Sequence, residues 1–208
     1  MDSSVLWAVF FIITVLLFKR FIFDGTVGVR SKLDGKVYMV RKGPYEQRKA
    51  DLLAFIRLKL TLLVDTLKKD TQYNLTEPVL RLISNWNRGL SIKEIGQMET
   101  DAAYVINKHQ MAFCLQDSPA IGAPVKTTSL DDTNLITYVG IHELAHMMSD
   151  EMGHGSEFVA NFDFLLNYAK GINYTDPFTK KVEPLYIPLN KLKTSDNYCG
   201  VALNNAIQ

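Results

Sequence analysis

Residues 141–158 read IHELAHMMSDEMGHGSEF, and three histidines in that stretch decide how the rest of the chain is read. His142 and His146 stand four apart in a run whose apolar members, among them Leu135, Ile136 and Val139, recur at helical intervals. Positions i and i+4 share one face of a helix, so both imidazoles reach a single ion. The pattern predicts a helix over Leu130–Met148. Glu143, next to the first histidine, is placed to take a proton from a water held by that ion. Farther on comes His154, with Gly153 and Gly155 on either side freeing the backbone to swing back under the helix. Three of the 4 histidines thus fall between positions 142 and 154. Each alone would be an ordinary surface or core residue. Together they make three nitrogen ligands with a fourth position left for water, the donor set of a catalytic zinc site.

Downstream, Ser156–Ala169 is helical in pattern, and the chain from Ile172 onward, with Pro177, Pro184 and Pro188, reads as extended or irregular. Glu157 has three readings: an acceptor for a ligand N–H, a replacement for His154 as ligand, or a solvated helix residue. Tyr198 either donates to a tetrahedral oxyanion or packs in the core. Upstream, TDAAYVI–NKHQ–MAFCL predicts a hairpin with His109 at its turn. Its second strand, Met111, Ala112, Phe113 and Cys114, is expected to pass the site as an edge and to hold an extended substrate by backbone pairing. Cys114 and Cys199 are thiols that either ligate or block zinc, or are buried and structural. A polar loop spans 116–128. Farther back lie a helix from Thr76 to about Trp86, a long amphipathic helix from Tyr45 to Lys69 opened by Gly43-Pro44, and a short strand over Val37–Val40.

The amino end differs in kind. Val5–Phe18 reads VLWAVFFIITVLLF, followed by Lys19-Arg20. With snorkelling basic residues and an interfacial Trp7, residues 3–23 are expected to span and contact a membrane. Asp2 stands where a cleaved signal would carry positive charge, which argues for an uncleaved anchor. Lys/Arg at 19, 20, 30, 32, 36, 41, 42, 48 and 49 outnumber the acids at 24, 34 and 46, and no Lys or Arg precedes the apolar run. The positive-inside rule then places the carboxyl-terminal bulk in the cytosol, or in the virion interior for a viral protein. The expected organisation is an anchor over 1–23, a linker over 24–36 and one domain over 37–208.

Composition closes off other classes. The 208 residues carry 23 Lys+Arg against 22 Asp+Glu, a net charge of +1 that gives no overall pull toward nucleic acid. With 2 Cys the chain is no disulfide-built scaffold. A mean hydropathy at zero is high for an ordinary domain, and the apolar amino end accounts for it.

The motif HELAHMMSDEMGHGSEF resembles the site of WLM-type and SprT-like zinc metallopeptidases, and is similar above all to metallopeptidases of large DNA viruses and algae. The matching elements are Val37–Val40, Ala50–Leu67, Ile106–Asp117, His142–His146, Gly153–Phe158 and Tyr198-Cys199-Gly200. The resemblance implies His142, His146 and His154 as zinc ligands and Glu143 as catalytic base. The gap to the third histidine departs from both groups, and neither a DNA-targeting module nor a second zinc-binding CxxC is present, so crosslink repair is not carried over. The expected fold class is α+β: a zincin-like domain, with a small mostly antiparallel sheet and an HExxH helix, behind one transmembrane helix. The expected function is membrane-anchored, zinc-dependent hydrolysis of a protein or peptide substrate. The alternative is a catalytically silent zinc-binding structural membrane protein, such as a minor virion component that meets other virion proteins.

Overall fold

The helical spacing of Leu52, Phe55, Ile56, Leu60, Leu63, Val64 and Leu67 becomes α1 (Glu46–Lys69), and each of these side chains is buried. The computed structural model describes residues 5–7, 9–14, 25–96, 103–115, 130–177, 179–188, 197–198 and 201–202. One flank of α1 packs on the antiparallel ribbon β1 (Thr26–Arg30) and β2 (Val37–Arg41), whose inward Tyr38 and Val40 join the core. β1 occupies part of the stretch expected as a linker over 24–36. Its Val27 and Val29 pack against the core, which a non-periodic reading of a Gly-rich segment did not reveal.

α2 (Glu77–Asn87) and α3 (Leu130–Met148) follow, then α4 (Ser156–Lys170). α3 is the hub, packed against α1, α2, α4 and a strand of the sheet. A helix surrounded in this way is apolar on most sides, and Ile136, Val139, Ile141, Leu144, Ala145, Met147 and Met148 are all buried. Gly140 permits a close approach to α1: a Cβ there would stand 3.1 Å from Leu60 Cδ2.

The central sheet holds β3 (Ser91–Glu94), β5 (Gln110–Phe113) and β4 (Ala103–Ile106) in that spatial order. β5 lies parallel to β3 and antiparallel to β4. The expected hairpin forms, and its turn places Asn107 (φ 50°) and Lys108 (φ 58°) in the left-handed region that tight hairpin turns use. A buried ion cluster ties ribbon, α1 and sheet together: Glu94, with a fully buried side chain, accepts from Arg41 N at 2.6 Å and Arg41 Nε at 2.7 Å and lies 3.0 Å from Lys49 Nζ. The chain beyond Ile172, expected to be extended or irregular, forms the hairpin β6 (Asn173–Thr175) and β7 (Val182–Pro184). It then docks on α3, where Asn134 and the backbone of Ile187 exchange two 2.7 Å hydrogen bonds. β8 (Asn197–Tyr198) and β9 (Val201–Ala202) pair as a last short ribbon.

Two expectations are corrected. Among the described residues, no helix is long and apolar enough to cross a membrane. The helical residues 5–7 and 9–14 are exposed. The single-pass anchor over 1–23, and with it the cytosolic or virion-interior placement of the remainder, is therefore not supported. The rest of the amino end, residues 1–4, 8 and 15–24, lies outside the described residues. The architecture, moreover, is a mixed α+β arrangement in which the described strands fall into four separate small sheets. This arrangement does not show a zincin fold.

Candidate metal centre

The site is built on the last two turns of α3. His142 and His146 project from one face, with Nε2 atoms 3.2 Å apart. The helix stops after Met148, and its terminal carbonyls are taken by side chains from other elements. Asn85 Nδ2 donates to Met147 O at 2.8 Å, Arg81 Nη1 to Met148 O at 2.8 Å, and Lys108 Nζ to Ser149 O at 2.5 Å. Donors and positive charge at a helix carboxyl end satisfy orphan carbonyls and oppose the dipole. The chain then reverses through Gly153, whose φ of 91° favours glycine, and Gly155 opens α4. That reversal brings His154 Nε2 to 3.1 Å from His142 Nε2.

Three ring nitrogens therefore converge, all within 4.8 Å of one another. Metal–nitrogen bonds of about 2.0–2.1 Å in tetrahedral geometry place neighbouring donors about 3.3–3.4 Å apart. The observed separations are close to that. Lone pairs aimed at one point repel each other, and a cation at that point makes the arrangement favourable. Burial holds the His142 imidazole near pKa 3, with neighbouring histidines adding to the effect, and holds His146 near 4 for the same first reason, helped by His154 and Lys108. Both rings are thus neutral at ordinary pH, the state a metal ligand requires.

Phe158 of α4 forms the floor. Its ring centroid lies 4.8 Å from that of His142, 4.3 Å from His146 and 4.7 Å from His154, and Phe162 adds a contact to His142 at 5.2 Å. Phe158 is buried, so one aromatic side chain restrains all three imidazoles. The sequence motif includes Phe158, but nothing in its spacing assigns this role.

Glu143 is buried, and its Oε2 has no hydrogen-bond partner. Desolvation alone raises its carboxyl to about pKa 8. An orphaned buried carboxyl beside three imidazoles fits a cation in their midst, which would return the group to its charged form. Glu143 and the three histidines open on a cleft of about 420 Å³, walled by Ala103, Tyr104 and Val105 of β4 on one side and Glu151, Met152 and Gly153 on the other.

The other expected residues fall as follows. Met111, Ala112 and Phe113 lie in β5, whose two edges are both taken, by β3 and by β4. They therefore have no free backbone edge for a substrate, and the strand bordering the cleft is β4. Cys114 is disulfide-bonded and so is no thiolate ligand; Cys199 lies outside the described residues. Glu157 neither joins the histidine cluster nor bonds a ligand ring: Oε1 accepts from Arg81 Nη1 at 2.7 Å, and Oε2 accepts from Asp150 N at 2.9 Å and Glu151 N at 3.3 Å. Arg81 foremost, with the two amides, holds the Glu157 carboxyl below its ordinary pKa. Tyr198 is in β8, and its side chain lies outside what the structure describes. His109 is exposed at the hairpin turn, its Nδ1 2.9 Å from Asn107 O.

No family model and no solved structure matches the chain. The resemblance to WLM-type or SprT-like peptidases therefore finds no support in these comparisons. Relatives do exist among curated proteins. An uncharacterized protein of Acanthamoeba polyphaga mimivirus is 24% identical over 178 residues, covering 85% of this chain and 81% of that protein. An uncharacterized protein of Invertebrate iridescent virus 6 is 31% identical over 51% of this chain and 57% of its own length. One of Invertebrate iridescent virus 3 is 30% identical over 38% and 46%, respectively. The chain's relatives are uncharacterized proteins of large DNA viruses.

Proposed function

We propose that this chain is a zinc-dependent metallopeptidase acting on a protein or peptide substrate. The observation that carries the reading is that His146 and His154 Nε2 lie 3.2 and 3.1 Å from His142 Nε2, beside the buried carboxyl of Glu143, whose Oε2 has no partner. Neutral imidazoles suit several transition metals, but three of them with an open fourth position is the donor set of hydrolytic zinc. When bound, the ion would supply Lewis acidity, polarising the scissile carbonyl and acidifying the attacking water.

The remaining steps belong to the protein. Glu143 accepts a proton from the attacking water and returns it to the leaving amine. Phe158 keeps the imidazoles from turning away. β4, at the edge of its sheet and along the cleft, offers backbone groups to an extended peptide.

Zinc content by atomic spectroscopy, with cleavage of casein or a quenched peptide library by the full chain beside E143Q, tests this. Wild type should bind one zinc and hydrolyse. E143Q should keep the zinc and lose hydrolysis. Hydrolysis retained by E143Q refutes the mechanism, and zinc uptake by an inert wild type would favour the zinc-binding structural role instead.

A further inference from the structure

The third ligand hangs from a loop. His154 is exposed, as are its neighbours from Asp150 to Ser156, and only Gly153 has the left-handed backbone that reverses the chain. The loop nevertheless has a built anchor at its start, where Arg81 of α2 and Glu157 of α4 meet across it. Arg81 Nη1 donates both to Met148 O, the last carbonyl of α3, and to Glu157 Oε1, while Glu157 Oε2 accepts the two amides of Asp150 and Glu151. One carboxylate thus binds both the loop's first amides and the guanidinium that caps the helix before it. Arg81 is held in turn by Glu77, 3.3 Å from Nη2.

We infer that the Arg81–Glu157 pair is a latch that sets metal affinity by pre-placing His154, acting through position and not as a ligand. The inference rests on the zinc reading proposed above. α3 by itself delivers two ligands at a separation set by helix geometry. The third costs the ordering of a glycine-bearing loop, and a latch made wholly of protein groups removes that cost from the binding step. Chemistry makes the latch sensitive to a single atom. Every partner of the Glu157 carboxyl is a donor, so a glutamine there can satisfy the guanidinium or the two amides but must point an N–H₂ donor at the other.

The test is a double-mutant cycle on the full chain, with the zinc dissociation constant read by competition against a chromophoric chelator. E157Q should weaken zinc by about tenfold or more, the usual size of effects from residues that support ligands. H154A should also weaken it. In the H154A background, E157Q should then change affinity by no more than about twofold, because the latch has no third ligand left to place. R81K, which keeps the charge but not the fork, should behave as E157Q does in both backgrounds and carries the test if E157Q does not fold. Equal weakening in both backgrounds, the mark of general destabilisation, overturns the inference, and so does an E157Q protein that binds as tightly as wild type. A wild type that takes up no zinc refutes the metallopeptidase reading itself, which the other two outcomes leave standing.

Discussion

Beneath the site helix a lysine is buried in the core, and its titration can be measured. Lys59 is 1% exposed, and its Nζ donates to Thr137 Oγ1 on α3 and to Leu185 O, each at 3.2 Å, while lying 4.7 Å from the ring centroid of Tyr174. Desolvation lowers its pKa from the ordinary 10.5 to about 8, with Glu183 and Asp176 pulling the other way. Between those values the unfolded chain holds a proton that the folded chain has released, so stability rises with pH across that window. The full difference corresponds to about 3 kcal/mol, of which about 1 kcal/mol develops between pH 7 and 9. K59M removes the titration. Other perturbed groups, Glu143 and the raised tyrosines Tyr38, Tyr138, Tyr168 and Tyr174, are common to both chains and cancel in the comparison. Lost hydrogen bonds shift the variant by a constant. Urea unfolding of the metal-free proteins, followed by circular dichroism at pH 7, 8 and 9, should show wild type gaining about 1 kcal/mol on K59M over that range. Parallel stability profiles would refute the reasoning, and a gap that moved toward the variant would reverse its sign.

Two further predictions concern the site. Phe158→Ala should cost about 3–5 kcal/mol in urea unfolding, as large aromatic truncations in a core do. Phe158→Leu should recover much of that stability yet still bind zinc more weakly than wild type, because a leucine cannot face three rings at once; equal zinc affinity for Phe158→Leu and wild type would exclude the floor role. Zinc at about 100 times its dissociation constant should stabilise the folded chain by about 2.7 kcal/mol, and a chelator should reverse the gain. Thermal unfolding with and without zinc reads this directly, and an unmoved transition would exclude a specific site on the native state.

The parts legible in the sequence are those set by local periodicity. His142 and His146 share a face because a helix repeats every 3.6 residues or so, and the apolar spacing of α1 placed its buried side in the same way. The reversal that delivers His154 was legible from its flanking glycines, one of which adopts the left-handed backbone. By contrast, the amino-terminal apolar run suggested a span that no described helix makes. Local apolarity reports only a preference for leaving water, and what the segment packs against is decided elsewhere.

Which strand borders the cleft was decided by pairing between distant residues. β3 and β5 lie side by side although the whole of β4 intervenes in the chain, so β5 becomes interior and β4 the edge. The supports of the site are equally remote: Arg81 lies 67 positions from Met148 and 76 from Glu157, and Lys108 lies 41 from Ser149. The sequence by itself thus determined the candidate metal-binding histidines and their spacing, because backbone geometry carries that information along the chain. Only the tertiary structure decided the floor under the imidazoles, the caps on α3, the clasp on the His154 loop and which described strand borders the cleft. Those depend on which side chains meet when the core excludes water, and no periodicity records such meetings.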